Sequence, residues 1–260
     1  MKSIIESIQA VKDFDFKSAS QQDIERILPT FGMNNEYLEE MPKEFESYYG
    51  WGIKFWQYPN QFSKFLTFLK DKKIDSYLEI GCRWGGTFII INELLKRYNP
   101  YLNSHALDLI PPSEILDIYQ NKFDDRKFFY HQIDSGSSFL FTTLGDESPY
   151  PNVQFDLVFI DGCHSYTCVK KDYYTALMMG AKYIVFHDIV NSATKGNKIA
   201  WEEIKRNHKN IHEFTDQYDS VTGSFLGIGV VEVSKEDLIF PMFNTHYHRH
   251  FDFNGRNGGN

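Results

Sequence analysis

Apolar and polar positions change period near residue 75. Before it, helical spacing prevails: Phe62, Phe65, Leu66 and Leu69 recur at i, i+3, i+4 and i+7, the stripe of a helix lying on a core. After it, strand-like and helix-like runs alternate. Strands are predicted at 76–80, 104–109, 128–133, 155–160 and 183–186, with helices near 87–98, 113–122, 166–179 and 197–207 between or after them. Two late strands, 211–214 and 225–233, have only a loop between them and predict an antiparallel hairpin at one sheet edge. Alternation of this kind predicts an α/β fold, a mostly parallel sheet covered by helices on both faces. Residues 1–74 read as a helical N-terminal cap and pocket lid, 75–235 as the core, and 236–260 as a C-terminal extension.

Composition narrows the partners. Lys and Arg total 27 against 35 Asp and Glu, a net charge of −8 with no long basic run, which disfavours nucleic acid as principal partner. Glu6 interrupts what would be a secretory apolar core, and no later run approaches membrane-spanning length. The chain therefore reads as soluble and cytoplasmic, with no membrane partner; assembly into a homo-oligomer is left open. Cys82, Cys163 and Cys168 form an odd set without paired zinc spacing, so free thiols are expected. His246, His248 and His250 alternate in the tail, where an exposed polar segment is favoured over a metal site.

Candidate chemistry gathers where the strands end, because ligands of open parallel sheets bind beyond the carboxyl ends of the strands. Glu79, Gly81 and Gly85 follow acidic-x-Gly-x-x-x-Gly between a strand and a helix, a turn that suits a nucleotide-like cofactor. Arg83 stands two residues after Gly81, where a dinucleotide turn wants glycine, and the Glu79 carboxylate would repel a diphosphate. NAD and FAD are thereby disfavoured. Further carboxylates follow at Asp108, Asp134, Asp161 and Asp188, so five successive strand ends are acidic. Asp108 is placed to accept ribose hydroxyls and Asp134 to meet an adenine amino group.

Glu79-x-Gly81-x-x-x-Gly85, Asp161-Gly162-x-His164-x-Tyr166 and His187-Asp188 together resemble class I S-adenosylmethionine-dependent methyltransferases. Within these, the sequence is similar to the subgroup containing macrocin O-methyltransferase and cephalosporin hydroxylase-like proteins, and Gln57-x-Pro59 fits that subgroup too. The likeness covers about residues 49–233 and implies a Rossmann-like, seven-stranded sheet. It implies that Glu79, Gly81 and Gly85 border the methionine and ribose portions of the cofactor, with Asp108 at the ribose, Asp134 at the adenine and Asp161 at the same pocket. It also implies a divalent metal, magnesium or manganese, on Asp161, His187 and Asp188. Two positions depart from the relatives: many have two acids where His187-Asp188 stands, and some sugar methyltransferases have an acid where Cys163 stands. Imidazole suits transition metals better than magnesium.

The catalytic residues are then expected to be His164, as general base, and Asp161. Tyr48, Tyr49, Trp51, Phe55, Trp56 and Tyr58 either roof the pocket or glue the cap to the sheet, and Trp201 carries the same ambiguity. Cys163 and Cys168 are expected to be packing and core residues. The reading is an O-methyltransferase acting on a sugar, glycan or other small polyol. Its rivals are a nicotinamide-dependent oxidoreductase and a non-catalytic cofactor-binding protein.

Overall fold

A computed structural model describes residues 1–123, 128–137, 140, 144 and 154–234. The extension 236–260, with its three alternating histidines, lies outside the described residues.

The strands are β1 (Ser76–Ile80), β2 (Asn103–Asp108), β3 (Phe128–Gln132), β4 (Leu157–Ile160), β5 (Tyr183–His187), β6 (Ile211–Phe214) and β7 (Ile228–Glu232). They form one seven-stranded sheet in the order β3-β2-β1-β4-β5-β7-β6. The first five pair in parallel, whereas β7 runs antiparallel to both β5 and β6. This is the Rossmann-like sheet expected, antiparallel C-terminal strands included. The last strand starts at Ile228 and not at Phe225, because Leu226 and Gly227 both take positive φ and the Gly227 N–H donates to Gln61 Oε1 instead of a ladder partner.

Helices among the described residues include α1 (Ile4–Asp13), α2 (Gln21–Ile27), α3 (Pro59–Lys70), α4 (Gly86–Lys96), α5 (Glu114–Lys122), α6 (Tyr166–Met178) and α7 (Lys195–Lys205). Ser3 and Ser20 start the first two through capping boxes with Glu6 and Asp23. Helix α3 carries the stripe read from the sequence, and Phe62, Phe65, Leu66 and Leu69 are all fully buried.

Alternation along each strand sends side chains to two faces. Tyr77, Phe159 and Val185 join the N-terminal helices, α3 and α4 in one apolar cluster. Leu78, Ile80, Val158, Ile160, Ile184 and Phe186 join α6 and α7 in another. The N-terminal segment thus shares a core with the sheet, and the central strands are buried on both sides, as parallel strands require. Among the described residues, no helix is long and apolar enough to cross a membrane.

Candidate active site

Register decides which residues meet. Ile80 pairs with Leu107 and with Ile160, and Ile160 pairs with Phe186, so Gly81, Asp108, Asp161 and His187 emerge at one level. The ladder continues one step further: the Gly81 N–H donates to Leu107 O and the Asp161 N–H to Ile80 O, both at 2.8 Å. Above this floor lies a cavity of about 820 Å³, lined by every residue that the sequence nominates for cofactor, metal or catalysis: Glu79, Gly81, Gly85, Asp108, Asp134, Asp161, His164, His187 and Asp188.

The glycine turn has a tighter constraint than ligand approach. Gly81 has φ 85°, and a Cβ there would collide with the Asp161 carbonyl and Gly162 of the neighbouring strand end. Gly85, at φ 86°, is the N-cap of α4, and a Cβ would strike the Leu116 side chain. Asp108 binds the turn itself, accepting the Arg83 N–H on Oδ2 and the Leu109 N–H on Oδ1, each at 2.7 Å. Glu79 is buried and accepts a short hydrogen bond from the Tyr77 hydroxyl. Burial pushes its carboxyl up to about 8; the Tyr77 hydrogen bond opposes this and Asp161 adds to it.

At the far end Asp134 is exposed and caps its own turn, accepting the Gly136 N–H at 2.7 Å. A second acid reaches this end. Asp172 on α6 is buried, its Oδ1 has no hydrogen-bond partner, and burial pushes it up to about 6. Sequence reading missed Asp172, although the signal existed: it interrupts the apolar stripe Val169, Tyr173, Ala176 at helical spacing.

The fourth and fifth strand ends bring two acids and two histidines together. His164 Nδ1 lies 3.3 Å from Asp188 Oδ2, and its Nε2 lies 3.9 Å from Asp161 Oδ1. Ser165, not His164, caps α6, accepting the Cys168 N–H, which leaves the His164 ring facing the carboxylates. The buried His187 places Nδ1 2.9 Å from Asp161 Oδ1 and 3.4 Å from Asp188 Oδ1, yet neither ring nitrogen makes an aligned hydrogen bond. Burial disfavours its charge, but the two carboxylates prevail and lift it to about 9.

Donor chemistry here suits a metal ion in kind. The arrangement does not: His187 stands against both carboxylates, and among the described residues no group of three or more His, Cys, Asp or Glu is arranged to hold a metal. As an imidazolium, His187 itself supplies the positive charge between Asp161 and Asp188.

The N-terminal segment supplies the facing wall through Tyr37, Glu40, Lys54 and Trp56. Of the aromatic residues nominated from the sequence, only Trp56 lines the cavity; Phe55 and Tyr58 are core, and Trp201 is buried with its Nε1–H donating to Glu213 at 2.6 Å. Tyr37 stacks on Trp56 at 5.8 Å, the Arg83 guanidinium lies 5.4 Å from Trp56 and 5.6 Å from Trp84, and Lys54 Nζ lies 4.9 Å from Trp84. Arg83 also pairs with Glu36. Glu40 approaches Asp188 through Asn191, and burial followed by the Asp188 charge raises its carboxyl. These wall residues escaped sequence reading because no local period marks them. One shared property does: among the described residues, the non-glycine residues with positive φ, namely Tyr37, Lys54, Arg83, Asp188 and Leu226, all line this cavity. Such strain persists only where surrounding structure enforces it, and it collects at functional sites.

The cysteine expectations need correction. Cys163 and Cys168 are bonded as a disulfide with Cα atoms 5.7 Å apart, because the Ser165 cap turns the first turn of α6 back over the preceding loop. Neither is a core residue: Cys163 is exposed, Cys168 partly so, and both line the cavity. Only Cys82 is a free thiol, and it is buried.

The family model of a methyltransferase domain matches residues 78–189, from β1 to just beyond β5. No curated protein matches the sequence. Among solved structures, the chain is similar to a candidate O-methyltransferase from Klebsiella pneumoniae, at 18% identity over 66% of this chain and 79% of that one, TM-score 0.48. It is similar to the O-methyltransferase TomG from Streptomyces achromogenes, at 14% identity over 68% and 81%, TM-score 0.48. An O-methyltransferase from Bacillus cereus gives 16% identity over 65% and 80%, TM-score 0.46. The match to a methyltransferase domain thus takes in the glycine turn and all five acidic strand ends, together with His164 and His187.

Proposed function

We propose that the chain transfers the methyl group of S-adenosylmethionine to a hydroxyl oxygen of a sugar, glycan or other small polyol, in the manner of the macrocin-like subgroup. One observation carries this reading: cofactor-type residues and an acid–histidine cluster stand at one level on the floor of one cavity. Asp108 offers its remaining lone pairs to the ribose hydroxyls, Glu79 faces the cofactor's amino end, and Asp134 lies toward the adenine. The acceptor hydroxyl sits at His164. A proton on Nδ1, turned toward Asp188, leaves Nε2 as the basic nitrogen. The cofactor would supply the methyl group and leave as S-adenosylhomocysteine, and His164 would take the proton that the acceptor hydroxyl loses. Asp161 and Asp188 stabilise the imidazolium that forms.

A divalent ion on Asp161, His187 and Asp188 is the second reading, favoured by the unaligned nitrogens of buried His187. Such an ion would supply Lewis acidity to neighbouring hydroxyls, and holding it would require His187 to leave its place against the two carboxylates. Turnover of a panel of sugars and small polyols in thoroughly chelated enzyme separates the two. Retained activity supports His164 acting with its carboxylates; loss restored by magnesium or manganese, with cofactor affinity unchanged, favours the ion.

A further inference from the structure

The cavity has a surplus of negative charge that creates a problem for one end of the proposed cofactor. Asp108, Asp161, Asp188 and Glu40 line it, and Glu79 joins them once its proton is lost. These suit the sulfonium, the amino group and the ribose hydroxyls of S-adenosylmethionine. They repel its α-carboxylate, which needs a cation or clustered N–H donors nearby.

The cations lining the cavity can be taken in turn. His187 lies against Asp161 and Asp188, and His164 against Asp188. Lys171 crowds Gly136 beside Asp134, at the opposite end. Arg83 is paired with Glu36. Lys54 remains. It makes no ion pair with any described carboxylate, and its ammonium rests 4.9 Å from the Trp84 ring, inside the glycine turn between Arg83 and Gly85.

Its backbone is built for that place. The neighbours of Lys54 are pinned to the N-terminal segment: the Ile53 N–H donates to Phe31 O at 3.0 Å and the Phe55 N–H to Gly32 O at 3.2 Å. Between these bonds Lys54 takes φ 51°, a conformation that side-chain-bearing residues rarely adopt. The same stretch presses on the start of α4, where a Cβ on Gly86 would strike the Ile53 carbonyl and Phe55 N. Lys54 therefore stands over the glycine turn and the helix start, whose unpaired N–H groups favour the same negative charge.

We infer that Lys54 is the anchor for the α-carboxylate of the cofactor, a binding contribution from outside the matched methyltransferase domain. This rests on the cofactor reading above. In it, the N-terminal wall clamps the methionine end by charge while the strand ends hold the ribose and adenine.

The test compares S-adenosylmethionine with its decarboxylated form, which keeps the sulfonium and amine but lacks the carboxylate. Calorimetry would measure both ligands against the wild type, Lys54→Met and Lys54→Arg. Wild type should prefer the carboxylate-bearing ligand. Lys54→Met should weaken S-adenosylmethionine by about 10-fold or more while changing the decarboxylated form less than twofold, and Lys54→Arg should restore most of the preference. Equal loss for both ligands, or no loss for either, overturns the assignment of Lys54 with the cofactor reading intact. Failure of the wild type to bind either ligand overturns the cofactor reading itself, and the anchor with it.

Discussion

The floor of the cavity and the wall facing it hold their side chains by different means. On the floor, Gly81, Asp108, Asp161 and His187 follow strands whose hydrogen-bond ladders set them level, and two ladder bonds extend past the strand ends. On the wall, residues between Tyr37 and Trp56 are held by scattered contacts, such as isolated bridges from Met33 to Tyr49 and Phe55, and by strained backbone at Tyr37 and Lys54. Displacing a floor residue means breaking a buried sheet. Displacing a wall residue means losing a few loop bonds. The floor is suited to chemistry that tolerates no misplacement, and the wall to recognition that adjusts to its ligand.

That contrast breaks most visibly at His164. Replacing it by Ala should lower kcat by about 10²–10⁴-fold and leave S-adenosylmethionine affinity within about twofold, if the ring faces the acceptor and not the adenosine as proposed. Near-normal kcat in a folded variant would remove the base from the floor. Gly81→Val should destabilise the chain by about 3 kcal/mol or more, through a positive φ and a clash with the Asp161 carbonyl, as read by denaturant unfolding. Wild-type stability would show that the floor is softer than its ladder implies.

Asp108→Ala should weaken cofactor binding by about 1–3 kcal/mol in calorimetry, since it removes the proposed ribose acceptors and also unpairs the Arg83 N–H. A variant at full affinity would take Asp108 out of the site. The wall should respond far less. Glu36→Gln breaks a largely exposed pair with Arg83 and should change stability and cofactor affinity by less than about 1 kcal/mol. A larger loss would mean that the wall is as rigid as the floor.

Glu79 adds a pH dependence to the floor. Its carboxyl is pushed up to about 8 from 4.5. Between those values the folded chain holds a proton that the unfolded chain lacks. The contribution of this group to stability therefore falls as pH rises through that window and levels off above it. Unfolding midpoints of the ligand-free protein should show this decline, and Glu79→Gln should reduce it. Binding the cofactor's ammonium should release the proton near pH 7, which titrations in buffers of different ionisation enthalpy would detect. No release, or the same release from Glu79→Gln, would separate Glu79 from the amino group.

The floor was legible in the sequence for a physical reason. Period-2 and period-3.6 patterns place strands and helices, and parallel connectivity then sends the residues after each strand to one edge. Glu79, Asp108, Asp161, His164 and Asp188 needed no more than that. Asp172 required asking which polar residue interrupts a buried helix face. Lys54, Tyr37 and Glu40 lie in a segment without period, and their approach depends on long-range packing against Gly86 and Asn191. The disulfide was hidden because spacing alone does not show that Ser165 folds Cys168 back toward Cys163.

Methyl transfer to oxygen at the His164 end of the floor is the centre of this account, and following the methyl carbon tests it directly. Wild-type enzyme would be incubated with ¹³C-methyl S-adenosylmethionine and a panel of sugars and small polyols, and the products read by NMR. The predicted result is an O-methyl resonance on a hydroxyl-bearing acceptor, strongly reduced with His164→Ala while cofactor affinity stays near normal. Label on nitrogen or carbon, or an unchanged rate of O-methyl product from a folded His164→Ala enzyme, would contradict it.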